Sequence, residues 1–255
     1  MSAIGIVFIG HGTRCEKGVR EFHEMAQKVE HRLMTRCAED RLRIVCERAF
    51  LELACPALPY AWQKCLDRAA QRILAVPFFL FDAGHTKTDL AALMTALQRE
   101  RPAVTGRLLP AAGVDRRFID VVAERLMRQE LHHKRVLLLG RGNQDEVAQR
   151  QFLQIAREIS ERLGAPVETG FLAGTGRNWL VALNDLARID ESPIFVQPYL
   201  WFHGRLTDQL PRKLEEWQAN HRSHKVFFGE PLGTDDRLAE SVHDRVYAMI
   251  NRVSP

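Results

Sequence analysis

The sequence lacks any apolar run long enough to cross a bilayer. Its longest, such as Ile73–Phe81, fall far short of the roughly 20 residues that a spanning helix needs. The first twelve residues, MSAIGIVFIGHG, contain no basic segment and enter a strand-like run at once. No signal peptide is therefore expected. No pair among the five cysteines (Cys15, Cys37, Cys46, Cys55 and Cys65) has C-x-x-C spacing, which excludes a zinc knuckle. An odd number of thiols in such a chain points to reduced cysteines and a cytoplasmic location. Charge of one sign is also scarce. The 36 Lys+Arg are interleaved with 32 Asp+Glu, giving +4 with no basic stripe. Nucleic acid is not an expected partner, because proteins that hold it concentrate their basic residues. Nucleotide motifs are missing too. GxxxxGK[ST] is absent, and Gly10-x-Gly12 is followed by Cys15, which breaks GxGxxG.

What is present is ordinary globular material, 46% hydrophobic and 27% charged over 255 residues. Short apolar runs alternate with amphipathic stretches. Ile4–Ile9 reads as a strand broken by Gly10-His11-Gly12. Glu16–Arg36 places Val19, Phe22, Met25, Ala26, Val29 and Leu33 at a helical period. Arg43–Leu51 returns to strand character, and Pro56 is expected to open a second helix. Arg72–Phe81 is strand-like, Asp89–Arg99 helical, Thr105–Leu109 strand-like and Asp115–Arg128 helical. Strands without polar alternation, separated by helices, predict parallel sheets covered on both faces.

The order then begins again. Arg135–Leu139 runs into Gly140-Arg141-Gly142, a counterpart of the first strand and its loop. Phe171 follows Phe50, and Pro198 follows Pro77, at the same offset of 121. Gly204 follows Gly84 and Gly233 follows Gly113 at 120, whereas the first loop needs 130. The chain thus reads as two homologous doubly wound α/β domains, residues 1–130 and 131–255, joined near Gln129–Lys134.

In parallel α/β sheets, ligands bind beyond the carboxyl ends of the strands. Three chemically capable residues stand there in the first half. His11 follows the first strand in GHGTR, Glu52 the second in FLELACP, and His85 the third in FDAGHTKTDL. Two imidazoles and a carboxylate suit iron, cobalt, nickel or zinc. Each alone could equally satisfy a loop hydrogen bond; their joint placement favours a metal and proton-transfer site. Gly10, Gly12 and Gly84 allow tight turns and close approach of a bulky ligand. A phosphate-ester hydrolase with His11 as nucleophile is an alternative, but the Arg such enzymes place before His-Gly is here Gly10.

GHGTR, FLE-x-x-x-P and VPFFLFDAGHTKTDL together resemble the sirohydrochlorin chelatases, which are ATP-independent (class II) tetrapyrrole chelatases of sirohaem and cobalamin synthesis. In the second half, GRGNQDEVAQRQFLQIAR resembles the GRGSSDPDA block of the long, two-domain members, and VQPYLWFHG their VPYFLFTG. The resemblance spans nearly the whole chain. It implies two α/β domains facing each other across a cleft that holds the tetrapyrrole. It implies that His11 and His85 bind the incoming ion and accept pyrrole protons, with Glu52 as acidic partner. The ion is then substrate, cobalt favoured over iron, and no ATP is required. The partners implied are sirohydrochlorin and a divalent metal, with no membrane, in a monomer or homodimer. A non-catalytic tetrapyrrole or metal carrier of the same fold is the other alternative.

In the second half the chemistry is replaced. Arg141 stands for His11, Ala173 for Glu52 and Arg205 for His85. Arginines at these places suit a polycarboxylate ring, which they grip in a bidentate way; Arg141 could equally pair with Asp145 or Glu146. Arg14, Lys87 and Thr88 are further candidate substrate contacts, and His203 a candidate third imidazole. Asn143-Gln144, Glu146-Val147 and His203 depart from the family pattern, and its His-rich tail is missing. His23, Gln27 and His31 read as a solvated helical face, His132-His133, His221 and His224 as exposed loop residues, and the four tryptophans as packing residues.

Overall fold

A computed structural model describes residues 3–82, 84–129 and 135–252, with side chains left out for 84–87. The first repeat runs β1 (Ala3–Gly10), α1 (Glu16–Glu39), β2 (Ile44–Phe50), α2 (Leu58–Asp67), β3 (Ala70–Pro77), α3 (Gly84–Glu100), β4 (Thr105–Leu108) and α4 (Arg116–Met127). The second runs β5 (Arg135–Gly140), α5 (Glu146–Leu163), β6 (Val167–Phe171), α6 (Trp179–Ala187), β7 (Ile194–Pro198), α7 (Arg205–Asn220), β8 (Val226–Phe228) and α8 (Asp236–Asn251). No described helix is long and apolar enough to cross a membrane.

Each repeat forms one four-stranded parallel sheet, ordered β2-β1-β3-β4 and β6-β5-β7-β8. The unbroken apolar run of β1 is explained by its place: it lies between two strands, and all eight of its residues are buried. On one side of this sheet Val7, Ile9, Ile73 and Ala75 pack with Trp62 and Leu90. Leu137, Leu139 and Val196 pack likewise with Trp179, Leu183 and Trp217. All four tryptophans are buried, as expected of packing residues.

The repeat extends to individual hydrogen bonds. Leu51 N and Glu52 N donate to Gly10 O and His11 O, as Leu172 N and Ala173 N donate to Gly140 O and Arg141 O. Phe78 N donates to Ile9 O, and Tyr199 N to Leu139 O. The correspondence of His11 with Arg141 and of Glu52 with Ala173 is therefore fixed by backbone geometry.

The compact units do not follow the repeat boundary. One comprises Met1–Gly113 with Thr234–Pro255, the other Val114–Gly233. The last helix of each repeat is exchanged. In the first unit α8 packs on α1: Lys28 Nζ reaches Asp236 (3.1 Å) and Thr234 O (2.7 Å), Tyr247 hydrogen-bonds Asp40, and Arg36 lies 5.2 Å over the Tyr247 ring. In the second unit α4 packs on α5, with Arg162 Nε 2.7 Å from Asp120 and Phe118 edge-on to Trp201.

Three local expectations are corrected. Pro56 precedes α2 rather than opening it; Pro59 occupies the first turn, where a proline costs no helical hydrogen bond. His224 is buried, its Nε2 2.9 Å from Ala187 O, and His221 stacks on Trp217 at 4.0 Å. His23 is half-buried edge-on to Phe22 and Phe50, and only Gln27 and His31 of that trio are exposed. His132 and His133 lie outside the described residues.

Candidate metal and tetrapyrrole site

Strand order reverses direction between β1 and β3, and ligands of open α/β sheets bind at such a switch point. His11 follows β1, and α3, which carries His85, follows β3. Glu52 follows β2. The loop after β1 is held tightly against the loop after β2. Gly12 has φ 98°, and a Cβ there would sit 1.6 Å from Glu52 O. Only glycine fits. On the other side of Glu52, Leu53 has φ 60°, a left-handed conformation that costs a branched side chain energy and often marks functional loops.

This backbone arrangement brings His11 Nδ1 within 3.6 Å of Glu52 Oε1. That is longer than a hydrogen bond. Nδ1 is buried and has no hydrogen-bond partner among the described residues, although the side chain as a whole is 40% exposed. Buried polar atoms are normally satisfied, so an orphan here needs a reason. An apolar ring flanks the imidazole: Phe79 stands edge-on to His11 at 6.4 Å.

The remaining expected residues are placed as follows. Gly10 is buried at the end of β1. Arg14 is exposed and, among the described residues, has no ion pair. Gly84 begins α3, and Thr88 is exposed on it. The side chains of His85 and Lys87 lie outside the described residues. Among the described residues no group of three or more His, Cys, Asp or Glu side chains converges. Two of the three expected ligands are thus brought together, with the third carried on the helix that leaves the switch point.

The second unit repeats the frame without the ligands. Gly142 has φ 86°, and its Cβ would lie 1.7 Å from Ala173 O. Arg141 is exposed. Asp145 caps α5 through Val147 N (2.8 Å), and Glu146 pairs with Arg150 (3.3 Å). Neither acid holds Arg141, which has no ion pair among the described residues. Arg205 is the exposed first residue of α7, also without one. His203 does not stand free: its Nε2 lies 2.8 Å from Glu230 Oε2, with the imidazole largely buried. Glu230 had no signal in the sequence, because it lies in no motif and its partner is 27 residues away.

Two α/β units, each with a four-stranded parallel sheet, define a class of protein already seen in crystals. SirB from Bacillus subtilis with Fe3+ superimposes with a TM-score of 0.77 at 25% identity, over 97% of this chain and 95% of that one. In sequence, the chain is 28% identical to a sirohydrochlorin ferrochelatase of Priestia megaterium, over 96% of this chain and 90% of the relative. It is 24% identical to a sirohydrochlorin cobaltochelatase of the same organism, over 94% and 78%. The CbiX family model matches residues 5–129 and again 135–249, once for each repeat. The chain belongs to the CbiX family.

Proposed function

We propose that this chain is a sirohydrochlorin chelatase that inserts a divalent metal ion, cobalt in preference to iron, into the tetrapyrrole without nucleotide. The observation that carries the reading is the orphaned, buried Nδ1 of His11 beside Glu52 at the sheet's switch point. Its relatives named as ferrochelatase and cobaltochelatase support the same chemistry.

Insertion replaces two pyrrole N–H protons by one divalent ion, so the site must deliver the ion and take two protons. His11 serves both steps. With Nδ1 buried toward Glu52, the exposed Nε2 is the atom that meets the ion. Glu52, 3.6 Å from Nδ1, neutralises the arriving charge. Once the ion has passed to the ring, His11 accepts one of the two pyrrole protons and His85, the second imidazole, carried on α3, accepts the other; Glu52 passes the proton from His11 to solvent. Arg141 and Arg205, with Arg14, Lys87 and Thr88 in the first repeat, bind ring carboxylates.

The test is metalation followed by the absorbance of the ring, metal by metal. Multiple turnovers with cobalt, and slower ones with iron, are expected in the absence of ATP. Stoichiometric binding without turnover would make the protein a carrier instead.

A further inference from the structure

The β2–α2 and β6–α6 connections are one loop built twice. Its far end is closed by the same bond in both: Phe50 N donates to Pro56 O, and Phe171 N to Arg177 O. Phe50 bridges Ala57 as Phe171 bridges Asn178. At the near end, Glu52 N and Ala173 N donate to His11 O and Arg141 O. With both ends fixed and the lengths equal, Leu53 corresponds to Gly174. Both are left-handed, with φ 60° and φ 73°.

The second unit fills this position with the residue that suits it, since glycine has no Cβ to strain. The first unit puts a leucine there, in a tight turn. Ala54 N donates to Glu52 O at 2.8 Å, spanning Leu53. A bond from residue i+2 back to residue i, around a positive φ, is the rare and strained form of the γ-turn. Leu53 is also 56% exposed. A lone exposed leucine is ordinary on a protein surface; one held in a strained turn is not. The fold does not require the side chain, because the same loop closes around Gly174 without one.

The position is specific. Leu53 follows Glu52 directly, and the Glu52 carboxylate is 3.6 Å from His11. A Cβ on Gly174 would meet Asn143 N at 3.0 Å and Gly142 C at 3.1 Å. The counterparts of those two residues are Thr13 and Gly12. The shared frame therefore directs the Leu53 side chain along the loop that carries His11. A metal ion gains nothing from an aliphatic group. The flat face of a tetrapyrrole, apolar inside its rim of carboxylates, sheds water against one.

We infer that Leu53 is a substrate-positioning residue, which packs on the face of the macrocycle and holds its nitrogens near His11 and Glu52. The inference rests on the chelatase reading above. Leu53 neither ligates the ion nor moves a proton.

Three variants of the full chain test this. Leu53→Gly copies the second unit and relaxes the turn. Leu53→Asn keeps the size and tolerates a left-handed backbone, but is polar. Leu53→Met keeps an apolar side chain of similar volume. The readouts are titration of the metal-free protein with sirohydrochlorin, followed by ring absorbance, metalation kinetics with ring and metal varied separately, and unfolding midpoints. Leu53→Gly and Leu53→Asn are expected to weaken ring binding and raise the KM for the ring about 5–20-fold, the scale of half a leucine side chain removed from water. The KM for metal is expected to be unchanged, and both midpoints to stay at or above that of wild type. Leu53→Met is expected to stay within about threefold of wild type. The inference is overturned if Leu53→Gly and Leu53→Asn both bind the ring as wild type does, or if Leu53→Met is as impaired as Leu53→Asn. It is also overturned if both impaired variants lose stability, since the leucine then serves the fold, or if the KM for metal rises with that for the ring, since the residue then acts through Glu52. Should wild type neither bind sirohydrochlorin nor insert metal, the chelatase reading itself fails, and the inference falls with it.

Discussion

Arg125 and Arg245 hold corresponding loops of the two units, gripping the carbonyl of Pro231 in one and of its counterpart Ala111 in the other. Arg125, on α4, donates to Pro231 O and Leu232 O, both at 2.8 Å. Arg245, on α8, stands 120 residues later and donates to Ala111 O at 2.7 Å and to Pro110 O. Each arginine thus fastens the terminal helix of one repeat to the β4-side or β8-side loop of the other. Removing Arg125 takes the donor from the carbonyls of two buried residues, and removing Arg245 from those of buried Ala111 and exposed Pro110. Arg125→Ala and Arg245→Ala are each expected to cost about 2 kcal/mol, the scale of hydrogen bonds to charged groups. The two pairs share no partner, so the double variant should show the sum. Denaturant unfolding of the three proteins measures this.

Arg141 and Arg205 should govern the ring and not the ion. Arg141→Ala and Arg205→Ala are expected to raise the KM for sirohydrochlorin several-fold each, leaving the KM for metal unchanged. Lysine at either place should rescue only partly, because it cannot form the bidentate contact. The wild-type KM should also rise with salt, and less so in the double variant. Steady-state kinetics at two ionic strengths decides this.

His23 makes stability depend on pH. Burial among Phe22 and Phe50, followed by the nearby Arg48 charge, holds its pKa below the ordinary histidine value. The folded state therefore resists a proton that the unfolded chain takes up readily. Its contribution is complete above the unfolded value of about 6.5 and is lost as pH falls below it. His23→Gln is expected to flatten the decline in unfolding free energy between pH 7.5 and 5.5. An unchanged slope would show that another group sets it.

The thiols should divide sharply in reactivity. Burial pushes Cys46 well above the ordinary thiol range and Cys65 up to about 12. Cys55 is exposed in the loop that follows Glu52. Thiolate is the reactive form. Iodoacetamide at pH 8 should label Cys55 in the native protein and leave Cys46 and Cys65 untouched, as peptide mass mapping will show.

Much of this was legible in the sequence, for physical reasons. The doubled sheet could be read because strands buried on both faces leave unbroken apolar runs, and because the first loops keep glycines that no other residue can replace. His11 and Glu52 could be read because ligand sites gather where such strands end. Other features were hidden. The helical period of Asp236–Asn251 shows that α8 has a buried face, but not that α1 covers it. His224 sits in a polar segment, yet its ring is drawn in by two carbonyls from the end of α6 and beyond. The hydrogen bond of Asp82 to Ala111 and the pairing of His203 with Glu230 join loops far apart in sequence, the first through a backbone N–H, which no residue pattern records.

If the ion and a pyrrole proton pass through His11 beside Glu52, cobalt insertion into sirohydrochlorin must slow when that imidazole is removed. The rate is measured in wild-type protein and in His11→Ala, with unfolding midpoints to verify the fold. Repeated turnover by wild type and a fall of about a hundredfold or more in the variant are expected, the scale of a lost general base. Insertion by His11→Ala at the wild-type rate would contradict that role for His11.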